Sequence, residues 1–355
     1  MTEKVIEKFG VKYLQVVDES GNADPAVFPA VRDETIKKFF ETIILVRAYN
    51  DRALSLQREG RLGTYASIYG QEASQVGSAL ALGKDDWVFP SFRESGVFLS
   101  LGYPLWQMLR YWKGDERGMK IPKELNILPM SVPVGTHIPH ATGAAWAMKI
   151  KGHKNAAVCY FGDGGSSRGD SHEGFNMAGV FSLPVVYICQ NNQWAISVPR
   201  ERQTAARTIA QRAYGYGFEG IQVDGNDVFS VYKATKDALE KAKKGEGPTL
   251  IECFTYRLHD HTTSDDAARY RSEEEVTEWK KKEPLIRLRL FMQKRGIWTD
   301  EYEKGVSAGA KEIVDKAIEE EEAYPPSLPA DIILYTNAEP TRRQLKELRE
   351  LGWQK

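Results

Sequence analysis

Cysteine and histidine are scarce in this chain of 355 residues, which holds three of the first and six of the second. The cysteines, Cys159, Cys189 and Cys253, are odd in number, far apart and set inside apolar runs. That excludes a disulfide framework and favours buried free thiols in a reducing compartment. A surplus of either charge is also missing. The chain has 48 basic and 49 acidic side chains, a net charge of −1. A nucleic-acid grip needs a basic surplus or stripe, so that class is set aside. No apolar run approaches the roughly 18 residues a membrane helix needs. The opening MTEKVIEKFG lacks an apolar segment and carries early acidic residues, so no signal or transit peptide is expected there. Internal repeats and low-complexity tracts are absent too. What is present is ample apolar material, 42 % hydrophobic and 11 % aromatic, enough for a packed core. The expectation is a soluble cytoplasmic protein of about two units, or of one large α/β domain with appendages.

Residues 1–31 show no clear periodicity and read as an arm, free or docked over the rest. Asp33 offers an N-cap. Ile36, Phe39, Phe40, Ile43, Val46 and Leu54 follow at helical spacing, and Gly60 closes the run. That helix and the arm are candidates for subunit contacts. Further on, short apolar runs alternate with helical stretches. The runs are AAVCYF (156–161), LPVVYICQ (183–190), GIQVDG (220–225) and TLIECFTY (249–256). The helices are expected at 172–181, 208–214 and 228–244, the last capped by Asp227 and stopped by Gly245. This alternation predicts an α/β fold with a parallel sheet flanked by helices. Residues 259–272 read as a long polar loop, and such loops are commonly functional. The expected organisation is an N-terminal arm over 1–31, an α/β domain over 32–280 and a helical C-terminal extension over 281–355.

The strongest chemical signal is Gly162-Asp163-Gly164 directly after one apolar strand and Asn191-Asn192 directly after the next. Ligands on parallel sheets bind beyond the carboxyl ends of the strands. A carboxylate and an amide oxygen at that rim can share a hard cation such as magnesium, which prefers oxygen ligands and takes substrate phosphates as well. Glycines 162, 164 and 165 let a diphosphate approach the backbone, and the helix that follows offers free N–H groups. A dinucleotide fingerprint does not fit, because Ser167 stands where its third glycine belongs.

The GDG…NN pairing resembles the thiamine diphosphate motif. GRLGTYASIYGQEA (60–73), FPSFRESG (89–96), YFGDGGSSRGDSHEGFNMAG (160–179), NNQWAIS (191–197) and YRLHDHTTSDDAARYRS (256–272) narrow the likeness. Over about residues 30 to 320 the chain resembles the α subunit of the decarboxylating first component of 2-oxoacid dehydrogenase complexes. The resemblance implies the diphosphate half of a thiamine diphosphate-binding fold. It implies Asp163, Asn192 and the carbonyl of Trp194 as magnesium ligands, with Gly164 and Gly165 lining the cofactor. Arg93 would grip the terminal phosphate, and a bidentate guanidinium suits that task. Phe92 stands where a tyrosine is common. Val132 and Val134 would meet the aminopyrimidine, Val134 as the apolar wedge. His261 would sit beside the diphosphate and is the expected catalytic residue of this chain.

The same resemblance implies oxidative decarboxylation of a 2-oxoacid with acyl transfer to the lipoyl group of an acyltransferase component. The glutamate that activates the cofactor belongs to a β subunit in two-chain members. No stretch here resembles that chain, so an α₂β₂ assembly is expected. The stretches at 261–266 and 169–176 look more like the branched-chain type, which makes branched-chain 2-oxoacids the expected substrates and pyruvate or acetoin the alternative. Two departures stand out. Gln190 replaces a basic residue of the branched-chain enzymes. His137 replaces a glutamine beside Ser131, Pro133 and Thr136, which match a potassium site in some relatives. Other readings are weaker. A zinc pair at His259 and His261 lacks a third ligand at a recognisable spacing. His172 reads as a surface or capping residue, and Tyr65 and Tyr69 as core aromatics or a substrate wall. Thr262 stands where mammalian relatives carry a regulatory phosphoserine and reads here as an unmodified loop residue.

Overall fold

The structure, a computed structural model, describes residues 3–334 and 336–353. Its strands are β1 (Lys12–Leu14), β2 (Trp87–Phe89), β3 (Ala157–Gly162), β4 (Val185–Asn191), β5 (Trp194–Ala195), β6 (Val198–Pro199), β7 (Glu219–Asp224) and β8 (Thr249–Phe254). The helices begin with α1 (Asp33–Arg58), α2 (Glu72–Ala79), α3 (Ser95–Ser100), α4 (Leu105–Trp112), α5 (His137–Ile150), α6 (Gly169–Val180) and α7 (Arg200–Gln203). They continue with α8 (Val228–Lys243), α9 (Glu273–Lys280), α10 (Pro284–Lys294), α11 (Asp300–Ala323), α12 (Asp331–Leu334) and α13 (Arg342–Glu350).

Among the described residues one sheet runs in the order β1-β7-β8-β4-β3-β2, with every pairing parallel. Every residue of β4 is buried, as befits a central strand covered on both faces. Side-chain alternation divides its neighbours between two cores. Val158, Tyr160, Val186, Ile188, Val223 and Ile251 face α1, α2 and α8. Ala157, Cys159, Phe161, Val185, Tyr187, Cys189 and Leu250 face α5 and α6. All three cysteines are buried and unpaired. Helix α2 packs so tightly on α8 that a Cβ at Gly77 would lie 2.7 Å from the carbonyl oxygen of Val228. Leu285, Leu288, Phe291, Met292, Val314 and Ile318 place α10 and α11 in the first core as well.

Three local expectations need correction. Arg32, not Asp33, is the N-cap of α1; Asp33 is the first helical residue and pairs with Arg295 at 2.7 Å. A carboxylate suits the first turn as well as the cap, so composition alone does not separate the two positions. Residues 210–216 form a 3₁₀ turn rather than an α-helix, ended by Gly217 in the left-handed region. Gly215 and Gly217 leave too short a run for an α-helix to propagate. The arm is docked, and part of it is sheet: β1 pairs with β7 at the edge. The N–H groups of Val16 and Val17 then donate to the Asp227 carboxylate at 2.8 and 2.9 Å. Asp227 also caps α8, accepting from the Phe229 N–H.

Candidate active site

The register pairs Gly162 with Gln190, so β3 and β4 end side by side and bring the two polar constellations to one rim. A cavity of about 430 Å³ opens there. Phe92, Arg93, Val132, Val134, Asp163, Gly164, Gly165, Asn192, Trp194 and His261 all line it. Tyr65, Tyr69, His172 and His259 are not among its lining residues. Tyr65 is a core aromatic, edge-on to Tyr49 and Trp112. Tyr69 stacks on His259 at 4.6 Å, and His259 Nδ1 meets Ser67 Oγ. His172 is half-buried against the Tyr216 hydroxyl. Among the described residues no group of three or more His, Cys, Asp or Glu side chains converges as a metal site, so the zinc reading finds no support.

After β3 the chain enters a 3₁₀ turn over Asp163–Ser167 and then α6. Gly164 has a steric reason to be glycine: a Cβ there would lie 2.8 Å from the Ala195 Cβ. Asp163 is 1 % exposed, and burial pushes its carboxyl pKa up to about 6, with Gln203 and Arg257 acting in the opposite direction. Its carboxylate accepts from Gln203 Nε2 at 2.6 Å and makes no ion pair among the described residues. After β4, Asn192 Oδ1 accepts from the Trp194 N–H at 3.2 Å, and Asn192 Nδ2 donates to Gln71 Oε1 at 3.0 Å. The turn beyond is strained: Gln193 and Ile196 have φ of 72° and 56°. For a β-branched residue that region is costly. The Arg257 guanidinium holds the turn, donating to the carbonyls of Trp194 and Ile196 at 3.3 and 2.9 Å.

Arg93 and Arg257 are both buried, and neither makes an ion pair among the described residues. Arg93 donates to the carbonyls of Ser67 at 2.6 Å and His261 at 2.8 Å. Burial and then the Arg257 charge lower its pKa to about 10, so it is charged at neutral pH. His261 Nδ1 lies 3.1 Å from Arg93 and 3.4 Å from Arg257. Facing two cationic donors, Nδ1 is an acceptor and the ring proton sits on Nε2. Burial, Arg93 and Arg257 in that order drop the His261 pKa to about 3. Two buried guanidiniums without carboxylates are expensive unless an anion joins them. Beside them Asp163 lacks a cation. The residues present therefore fit a divalent cation carrying an anionic group: oxygen donors on one side, the Arg93 guanidinium on the other, with Arg257 adding positive charge from beyond the lining.

Several lining residues carry no role assigned from the sequence. Thr64, Ala66, Gln71, Glu94, Trp112, Ala195 and Ile196 are among them. Glu94 is fully enclosed, and burial raises its pKa to about 7. It accepts from Gln190 Nε2 at 2.7 Å, and Gln190 accepts in turn from Gln75 at 2.9 Å. Gln190 thus serves an amide–carboxyl network at the cavity wall. Ser131 Oγ lies 3.1 Å from Thr136 Oγ1, and both hydroxyls point at the Pro133 carbonyl. The neighbouring His137 is buried, with Nε2 at 2.6 Å from the Tyr160 carbonyl. Thr262 lines the mouth, its hydroxyl 3.0 Å from that of Ser264.

Comparison with known proteins gives the same direction. Residues 41–330 match the family model described as dehydrogenase E1 component. A Staphylococcus aureus protein named pyruvate dehydrogenase E1 component subunit alpha is 42 % identical over 309 residues, covering 86 % of this chain and 84 % of its own. Proteins of the same name from Bacillus subtilis and Bacillus cereus are each 40 % identical. They cover 90 % of this chain and 86 % and 87 % of their own lengths.

Proposed function

The chain belongs to the dehydrogenase E1 component family as an α subunit, a thiamine diphosphate-dependent oxidoreductase, and from that premise we propose that its substrate is pyruvate. The names of the relatives from three bacteria support this reading over the branched-chain one. The resemblance of residues 169–176 and 261–266 to the branched-chain type keeps 3-methyl-2-oxobutanoate as the second reading.

The observation that carries the site assignment is the pairing in one cavity of Asp163 and Arg93, neither with an ion-pair partner among the described residues, with Arg257, likewise unpaired, buried against the lining residues Trp194, Ile196 and His261. Asp163, Asn192 Oδ1 and the Trp194 carbonyl would hold Mg²⁺. Arg93 would hold the terminal phosphate, with neutral His261 beside it presenting the N–H at Nε2. Gly164 and Gly165 would let the diphosphate reach the backbone. When bound, the cofactor supplies the carbanion equivalent that decarboxylation needs. This chain's residues would bind and orient its charged end.

The other end is open. Val132 and Val134 are 55 % and 44 % exposed on the cavity wall, an apolar rim that a second chain would cover. The carboxylates lining the cavity are Asp163 and Glu94, and Glu94 is committed to Gln190 and the Arg93 N–H. A β subunit in an α₂β₂ assembly would supply the group that activates the cofactor. A lipoyl-bearing acyltransferase component would then accept the acyl group. The test is decarboxylation by the chain co-produced with its β subunit, followed with an artificial electron acceptor. A higher kcat/KM for pyruvate than for 3-methyl-2-oxobutanoate is expected. The reverse order would restore the branched-chain reading. Differences of about 1–3 kcal/mol per methylene make the ratio easy to resolve.

A further inference from the structure

Two glutamines at the cavity share an unusual arrangement. Each spends one end of its amide on a side chain assigned above to the cation, and each leaves the other end buried without a partner among the described residues. Gln203 donates from Nε2 to Asp163, and its Oε1 is buried and unpaired. Gln71 accepts at Oε1 from Asn192, and its Nε2 is buried and unpaired. An unmet buried polar atom costs about 1–3 kcal/mol, so two at one site call for a reason.

Chemistry fixes which end points where. An ionised carboxylate only accepts, so the NH₂ of Gln203 must face Asp163 and the carbonyl must face away. At Gln71 the argument runs through the backbone. The Trp194 N–H donates to Asn192, so the amide oxygen of Asn192 lies on that side and its NH₂ faces Gln71. Gln71 must then offer its oxygen, which leaves its own NH₂ free. The two unmet atoms are therefore of opposite kind, an acceptor at Gln203 and a donor at Gln71, which itself lines the cavity. A built Cβ at Gly164 would lie 4.0 Å from the Gln203 oxygen, which places that atom next to a glycine that lines the cavity.

We propose that Gln71 and Gln203 are the positioning residues of the cation–diphosphate site. Gln203 fixes the Asp163 carboxylate, and its free oxygen accepts from water on the cation. Gln71 turns the Asn192 oxygen toward the cation, and its free NH₂ donates to a phosphate oxygen. A hydrated divalent cation carrying phosphate supplies one donor and one acceptor, the complement of what the protein leaves unmet. This inference rests on the site assignment in the preceding section.

The test uses the chain assembled with its β subunit, with Mn²⁺ as the probe. Mn²⁺ affinity is read by electron paramagnetic resonance with thiamine diphosphate present, and metal-free unfolding midpoints are recorded alongside. Gln203→Met and Gln71→Met keep the side-chain length and remove the amide. Each is expected to weaken Mn²⁺ binding by about tenfold or more, the usual effect of losing an outer-shell partner. The metal-free midpoint should not fall, since an unmet buried atom is lost with the bond. Gln203→Asn, polar but one methylene shorter, should lose Mn²⁺ affinity as well. Wild-type Mn²⁺ affinity in these variants, or a lowered midpoint with unchanged affinity, would overturn the proposal and leave the functional reading standing. No thiamine diphosphate-dependent Mn²⁺ binding by the wild-type assembly would overturn both.

Discussion

Replacing Arg93 by methionine separates a binding role from a structural one, because the two predict losses in different measurements. Arg93 is 6 % exposed and pairs with no carboxylate among the described residues. Burial and Arg257 lower its pKa from the ordinary 12.5 to about 10. That difference sets the cost of keeping it charged in the empty protein at about 3 kcal/mol. Against it stand the bonds to the carbonyls of Ser67 and His261. Leaving two buried carbonyls unmet costs about 1–3 kcal/mol each. The terms are of similar size, so Arg93→Met should change cofactor-free stability by no more than about 3 kcal/mol. Binding has no such offset. Losing a charge-assisted, bidentate phosphate contact costs about 3 kcal/mol or more, at least ~100-fold in Kd. The assay is unfolding of the assembled protein with and without thiamine diphosphate and Mg²⁺. At a cofactor level 100 times the wild-type Kd, the ligand stabilises wild type by about 2.7 kcal/mol. For the variant the same expression gives about 0.4 kcal/mol. A variant that is severely destabilised without cofactor yet keeps its full ligand stabilisation would refute the reasoning.

Three further outcomes are expected. Asp227→Ala removes the cap of α8 and the acceptor for two N–H groups of the arm, and it should cost about 3–5 kcal/mol in chemical denaturation; a loss below about 1 kcal/mol would deny the arm its anchor. His261 has a depressed pKa, so the unfolded chain takes up its proton first as pH falls. Its contribution to cofactor-free stability is full above about pH 6.5 and declines toward about pH 3, and His261→Gln should flatten that part of the pH–stability curve. Cys159, Cys189 and Cys253 are fully buried with thiol pKa values pushed up by burial, so the folded protein should resist a water-soluble thiol reagent until it unfolds.

Much of the site was legible because its parts adjoin strong local signals. Asp163 and Asn192 follow apolar strands, and the parallel register of those strands makes them neighbours in space. The residues proposed to position that site from a distance carry no such mark. Gln71 stands 121 positions from Asn192, and Gln203 stands 40 from Asp163. Nothing local to either glutamine shows which amide end is engaged. Arg257 sits inside one of the resembling stretches, yet its hold on the Trp194–Ile196 turn shows only in three dimensions. In the fold, β1 and β2 escaped notice because three residues are too few to display a period. Helix α2 is buried all round and so lacks the polar face that reveals an amphipathic helix. Helix α8 carries a clear cap, an apolar stripe and a glycine stop, and it lies where those signals put it.

The most direct test of the central claim is calorimetric titration of thiamine diphosphate into the proposed assembly of this chain with a β subunit, with Mg²⁺ and then with chelator. The wild type should bind only with the metal, and Asp163→Asn should bind at neither condition within the accessible range. Equal binding with chelator, or unchanged binding by Asp163→Asn, would contradict the assignment of this cavity.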